Sequence, residues 1–269
     1  MRKVVILWFT LCLSMGVNGL ELQGQLTQGS LIRATLPAGS KVWLNDEPVT
    51  VSSDGHLAFG FGRDAPLSHV VRWQLPGKAP QQRTLSLTPR SYDIQEIDGL
   101  PPKMVTPDPS VLARIKEDSR KVREARSLRD DRSDFAVDFQ WPAEGPISGV
   151  YGSQRVLNGE PRRPHFGVDV AGPTGTPVVS PAPGIVTLWA PDMYYSGGTL
   201  IIDHGLGINS TFLHLSKGHV SEGQRVEQGQ LVGEIGATGR ATGPHLDWRL
   251  NWGNERLDPA LLVPPRAAK

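Results

Sequence analysis

Hydrophobic patterning divides the chain into stretches of different period. From about residue 20 to 102, short runs of mixed apolar and polar positions recur: Lys41-Val42-Trp43-Leu44, Pro48-Val49-Thr50-Val51, His56-Leu57-Ala58-Phe59-Gly60-Phe61, Val70-Val71-Arg72-Trp73 and Arg83-Thr84-Leu85-Ser86-Leu87. Turn formers separate them at Asn45-Asp46, Ser53-Asp54-Gly55 and Pro76-Gly77. Successive side chains of a strand face opposite sides, so short alternating runs closed by turns predict a β-sandwich-like module. No catalytic constellation falls in this module. His56 and His69 stand alone and read as strand or loop positions, and the module's expected role is to pack against, or place, the second domain.

The period then changes. Pro101, Pro102 and Pro107 mark an extended linker. Asp108-Pro109 reads as the cap and first residue of a helix, and Val111, Leu112, Ile115, Val122, Ala125 and Leu128 carry an apolar stripe as far as about Arg132. Its other faces hold Arg114, Lys116, Arg120, Lys121, Arg123, Arg126 and Arg129, the pattern of a solvated linking helix. After Phe139-Gln140-Trp141-Pro142 strand-like runs return at 176–179, 184–189, 199–202, 209–213, 225–226 and 231–235. Short glycine-containing turns join them with no helical pattern between, which predicts an antiparallel sheet with functional residues at strand ends and on one face. The predicted fold class is all-β: an N-terminal β-sandwich-like module at 20–102, a proline linker and charged helix at 103–137, and a C-terminal antiparallel β-sheet domain at 138–263. The linker is expected to separate two cores.

Composition changes this picture little. The 269 residues are 38% hydrophobic and 20% charged, those of a globular protein long enough for two domains; a net charge of +1 says nothing about nucleic acid, and no nucleic-acid partner is expected. The 30 glycines and 23 prolines fit short strands and many turns. Residues 1–19 read as an export signal: Arg2 and Lys3 precede an apolar run from Val4 to Val17, and Val17-Asn18-Gly19 offers a cleavage site. The run is shorter than the roughly 20 apolar residues of a membrane-spanning helix. The sole cysteine, Cys12, lies within it, so the expected mature chain is cysteine-free and periplasmic or secreted.

Candidate chemistry concentrates in three places. His245-Leu246-Asp247-Trp248-Arg249-Leu250 alternates like a strand, so His245 and Asp247 share a face. His165-Phe166-Gly167-Val168-Asp169 holds a second pair, which full extension would keep roughly 13 Å apart. Gly167 is expected to supply the bend that closes this gap. His214 lies in a third segment, Thr211-Phe212-Leu213-His214-Leu215-Ser216. A catalytic zinc takes about three protein ligands and keeps a position open, and His165, Asp169 and Asp247 make such a set. His204, in Ile202-Asp203-His204-Gly205, reads as a structural hydrogen-bonding residue of a hairpin, and His219 as a surface position. Tyr194, Tyr195 and the loop Asn158-Gly159-Glu160-Pro161-Arg162-Arg163 flank these segments, either as a turn or as a groove in which Arg162 or Arg163 meets a peptide carboxylate.

These segments resemble the lysostaphin-type (LytM-domain) zinc metallopeptidases, whose pattern is His-x-x-x-Asp, a later His-Leu-Ser and a final His-x-His. The resemblance runs over roughly 139–260 and includes Gly149-Val150-Tyr151-Gly152, Gly167-Val168-Asp169-Val170-Ala171, Pro181-Ala182-Pro183-Gly184 and Thr238-Gly239-Arg240-Ala241-Thr242-Gly243-Pro244-His245. It implies Zn²⁺ held by His165, Asp169 and the residue at 247, with His214 and His245 as catalytic groups. It further implies hydrolysis of stem or cross-bridge peptides of bacterial peptidoglycan, with a cell-wall or inner-membrane protein partner left open. One position departs: Asp247 stands where the family has its last histidine. An aspartate oxygen lies as many bonds from Cα as a histidine Nδ1, so reach is kept, while one histidine with two carboxylates neutralises a divalent ion. The competing expectation is a degenerate member that binds the cell wall and regulates other hydrolases. A carbohydrate-binding module with a vestigial site is a third.

Overall fold

The computed structural model describes residues 19–97, 108–157 and 159–266. The expected export signal lies outside them except for Gly19, and so does the expected linker around Pro101, Pro102 and Pro107. Within the described residues the fold is mostly β, as expected, and no helix is long and apolar enough to cross a membrane.

The N-terminal module contains β1 (Leu22–Gln23), β2 (Leu31–Thr35), β3 (Lys41–Leu44), β4 (Glu47–Val49), β5 (His56–Gly60), β6 (Ser68–Gln74) and β7 (Gln81–Ser86). They form two antiparallel sheets, β1-β2-β5 and β4-β3-β6-β7. Between them lies a core of Ile32, Val42, Leu57, Phe59, Val71 and Leu85. The alternation places the expected strands to within a few residues.

A further strand, β8 (Ile94–Ile97), leaves this module, and after the linker comes the helix α1 (Leu112–Ala125). The helix stops well before Arg132. Past Arg126 the chain is taken up by an ion network in which Arg132 meets Asp130, Asp134 and Asp203, the last at 2.6 Å from Nη2 to Oδ1. Continuing the helix would pull Arg132 out of these part-buried pairs. Nor is α1 solvated all round: Val122 and Ala125 pack with Leu188, Met193 and Ile201 of the large sheet, which corrects the expectation of a merely linking helix.

The C-terminal region contains β9 (Ile147–Gly149), β10 (Gln154–Leu157), β11 (Glu160–Pro161), β12 (Val168–Ala171), β13 (Pro177–Val179), β14 (Gly184–Met193), β15 (Gly197–Asp203), β16 (Ile208–Leu215), β17 (Lys217–Gly218), β18 (Arg225–Val226), β19 (Leu231–Glu234), β20 (His245–Trp252) and β21 (Glu255–Leu257). Its main sheet runs β18-β14-β15-β16-β20-β12-β9, with β21 added to β20, and all its pairs are antiparallel. Strands β13, β19 and β17 form a small second sheet. The core between them is built from Val170, Val178, Phe212, Val232, Leu246 and Trp248. Leu31 and Ala58 of the N-terminal module are buried in this same cluster. One pairing departs from the antiparallel expectation: β8 lies parallel to β10, opposing Ile94 to Gln154 and Ile97 to Leu157.

Candidate metal centre

The site forms where β12, β20 and β16 run side by side. Asp169 and Asp247 are direct partners across β12 and β20, and Asp247 opposes Leu213 on the other flank. Residues 245, 247 and 249 share one face of β20 while Leu246, Trp248 and Leu250 enter the core, so alternation alone puts both candidate side chains on the functional face. His165 precedes β12, and its backbone is pinned by Gly152 N–H donating to its carbonyl at 2.8 Å and by its own N–H donating to Ser153 at 2.8 Å. Its Nε2 comes within 3.2 Å of Asp169 Oδ1.

One ligand atom each from His165, Asp169 and Asp247 lie within 4.8 Å of one another. His165 Nε2 and Asp169 Oδ1 are buried and, beyond facing each other at 3.2 Å, have no hydrogen-bond partner among the described residues. Leaving such atoms unpaired is costly, and a cation placed among them satisfies both. Two glycines make the space for the carboxylates. A Cβ on Gly149 would lie 2.2 Å from Asp169 Oδ2, and one on Gly167 would lie 2.2 Å from Asp247 Oδ1. Gly167 has no left-handed φ. Its lack of a side chain, rather than conformational freedom, is what the site uses, which corrects the expected reason for this glycine. One nitrogen and two carboxylate oxygens within 4.8 Å of one another fit a zinc ion.

The two remaining histidines stand beside this triad. His214 and His245 have ring centroids 4.7 Å apart, and His245 Nε2 is 4.0 Å from Asp169 Oδ1. His214 Nδ1 lies 2.8 Å from the Thr238 carbonyl and His245 Nδ1 lies 2.8 Å from the Gly243 carbonyl. A carbonyl only accepts, so each Nδ1 donates and the neutral ring keeps a lone pair at Nε2. His214 adopts φ 65° at a register shift between β15 and β16, a left-handed backbone at a bulge that re-aims its side chain.

Electrostatics favour this division of labour. Burial pushes the His214 pKa down, so the ring stays neutral. Burial acts the same way on His165, but the Asp169 and Asp247 carboxylates outweigh it and hold that imidazole above its ordinary value. Burial alone would raise Asp247, yet Arg249 beside it holds the carboxyl below the usual range. Arg249 Nη2 donates to Asp247 Oδ2 at 2.6 Å, and its Nε lies 3.0 Å from Oδ1. Sequence reasoning passed over Arg249, although its place two residues after Asp247 on an alternating strand puts both on one face.

The flanking residues divide. Tyr194 and Tyr195 pack edge to face at 4.8 Å, and Arg240 lies over the Tyr195 ring, close to the Thr238 segment that holds His214. Phe166 lies under Arg256 at 4.4 Å. Arg162 gives its carbonyl to the Gln154 side chain at 2.6 Å, while Asn158 lies outside the described residues. His204 is fully buried between the Pro183 carbonyl and the Ser210 hydroxyl, and burial lowers its pKa to about 4. His219 pairs with Glu234 at 2.8 Å and does not belong to the metal-competent group.

The antiparallel sheet thus presents a His/Asp/Asp set that could hold a metal ion beside the rings of His214 and His245. Residues 163–259 match the family described as Peptidase family M23, so this region is an M23 domain of the LytM type. Over 117 residues the chain is 42% identical to the peptidoglycan DD-endopeptidase ShyA of Vibrio cholerae, covering 43% of this chain and 26% of that protein. Over 166 residues it is 30% identical to the cell division protein DipM of Caulobacter vibrioides, covering 60% of this chain and 26% of that protein. The chain thus spans about a quarter of the length of these curated relatives. A solved Pseudomonas aeruginosa structure described as a peptidase M23 superposes with a TM-score of 0.68 at 27% identity, covering 88% of this chain and 95% of that one. That similarity takes in the N-terminal module as well as the site.

Proposed function

We propose that this protein is an exported, zinc-dependent endopeptidase that hydrolyses peptide bonds in the stem or cross-bridge peptides of peptidoglycan. The observation that carries the reading is the buried cluster in which His165 Nε2 and Asp169 Oδ1 face each other at 3.2 Å, with no other hydrogen-bond partner among the described residues, within reach of Asp247. The substrate is supported by relatives named as peptidoglycan endopeptidases. Export is supported by the charged and apolar pattern of residues 1–19.

In this reading His165, Asp169 and Asp247 hold zinc. Zinc bound there supplies Lewis acidity, polarising the scissile carbonyl and acidifying a water molecule. His214 accepts a proton at Nε2, which its burial keeps free at neutral pH. His245, whose Nε2 faces Asp169, steadies negative charge on the carbonyl oxygen or carries the proton onward to the leaving amine. The sheet holds all five side chains on or beside adjacent strands, so little reorganisation is needed at the moment of reaction.

Two measurements on the purified mature protein test this: metal content, and analysis of fragments released from peptidoglycan. About one zinc per chain with newly freed peptide amines is the expected result. Metal-free protein that releases nothing even with added zinc would leave the cell-wall-binding regulator as the better reading.

A further inference from the structure

Asp247 is held by more than its strand. The Arg249 guanidinium grips both of its oxygens, with Nε at 3.0 Å from Oδ1 and 3.1 Å from Oδ2, and Nη2 at 2.6 Å from Oδ2. The Asp247 side chain is only 3% exposed, and a Cβ on Gly167 would strike both its Oδ1 and the Arg249 Cγ. The pair is therefore packed as a unit. A carboxylate offers about four acceptor sites, so the guanidinium does not exhaust them. Asp247 still keeps an oxygen within reach of His165 and Asp169.

Charge makes the pair informative. One neutral histidine and two aspartates carry two negative charges and would leave a divalent ion fully neutralised. Arg249 cancels one of them, so the four side chains together carry a single negative charge. Two neutral histidines and one aspartate carry the same. We propose that Arg249 is a positioning and charge-balancing residue of the metal centre, which fixes the Asp247 carboxylate and returns to the centre the positive charge that a second carboxylate removes. The proposal rests on the reading of Asp247 as a metal ligand. Asp247 and Arg249 then act together as the equivalent of one neutral ligand.

This role differs in sign from ordinary structural support. Losing a supporting residue loosens a site and weakens metal binding. Losing a compensating cation leaves the site more negative and tightens it, at a cost to the positive charge that acidifies water and stabilises an oxyanion.

The test is zinc affinity at pH 8, measured by competition with a chromophoric chelator on the full mature chain and needing no substrate. Arg249→Gln removes the charge and keeps a donor for Asp247; it is expected to bind zinc about tenfold more tightly than the parent, about 1.4 kcal/mol. Arg249→Lys keeps the charge and loses the fork; it is expected to stay within about threefold of the parent. Circular dichroism confirms that each variant is folded, and Arg249→Lys against the parent carries the test if Arg249→Gln is not. Peptidoglycan cleavage by Arg249→Gln is expected to fall although its zinc is held more tightly. Unchanged or weaker zinc binding in a folded Arg249→Gln, or a tenfold tightening in Arg249→Lys, overturns the charge-balancing role. Asp247→Ala serves as the separate control: if it binds zinc as tightly as the parent, Asp247 is no ligand, and the proposal falls with that reading rather than on its own terms.

Discussion

His214 and His245 reach the site from different strands, yet each is fixed the same way, Nδ1 against a backbone carbonyl at 2.8 Å and rings 4.7 Å apart. Fixing Nδ1 as donor leaves Nε2 as the working atom of both rings. Replacing either histidine by alanine is expected to leave zinc bound and to lower peptidoglycan hydrolysis by about 10²-fold or more, the usual loss on removal of a general base or charge stabiliser. Metal analysis beside the activity assay checks the division of roles. Zinc lost from either variant would show that a ligand had been mistaken for a catalyst.

Gly149 offers a steric test of the triad. A Cβ there would sit 2.2 Å from Asp169 Oδ2, 2.8 Å from its Cγ and 3.1 Å from its Cβ, so the Asp169 side chain must swing to make room. Gly149→Ala is expected to fold normally and to bind zinc at least about a hundredfold more weakly, since outright displacement of one ligand costs more than the ten- to hundredfold typical of indirect disturbances. An unchanged melting temperature with weakened zinc binding is the expected pair of readings. Unchanged zinc binding would mean that Asp169 does not hold the ion from this position.

Much of this architecture was legible in the chain because alternation reports a half-buried strand directly. The strand at Lys41–Leu44 and the pairing of His245 with Asp247 on one face both follow from period two alone. What was not legible depends on contacts distant in sequence. The parallel docking of β8 on β10 joins segments about 60 residues apart, with no local signature. Beyond the end of α1 the chain is held by Arg132 meeting Asp203, residues 71 apart in sequence. The bulge that turns His214 toward the site lies in a strand of wholly buried residues, where the pattern carries no phase. Arg249 was readable, since it alternates with Asp247, but an arginine on a strand ordinarily signifies only a solvated face.

Proton competition gives the site a pH signature. The Asp169 and Asp247 carboxylates, outweighing burial, raise the His165 pKa above its ordinary value near 6.5. The raised value means that the metal-free fold gains stability from the bound proton below about pH 6.5 and loses it as pH rises through the higher folded-state pKa. Zinc must displace the same proton, so its affinity changes in the opposite direction. The rise in melting temperature on adding zinc is expected to be larger at pH 8 than at pH 6. Equal increments at the two values would remove His165 from the ligand set.

The last prediction concerns the join between the N-terminal module and the M23 domain. Arg90 Nη2 lies 2.9 Å from Asp258 Oδ2, and the Asp258 side chain is only 4% exposed. Asp258 is also tied through its backbone, its N–H donating to the Gly29 carbonyl at 2.7 Å, and its Oδ1 accepts from Ala260 N–H at 3.0 Å at the start of the turn Pro259–Leu262. Burial raises the Asp258 pKa, and Arg90 opposes that rise. Removing the arginine strands a buried carboxylate beside a join that also buries Leu31 and Ala58 in the C-terminal cluster. Breaking one side of such a pair costs about 3–5 kcal/mol, so Arg90→Met should lower the urea midpoint clearly. Arg90→Met combined with Asp258→Asn should recover a substantial part of the loss, because no charge is then left unpaired. Tryptophan fluorescence and circular dichroism should report one coincident transition in the parent, since the two cores share buried residues. Two separate transitions, with only the first moved by Arg90→Met, would show instead that the modules unfold independently, as the expectation of a separating linker holds.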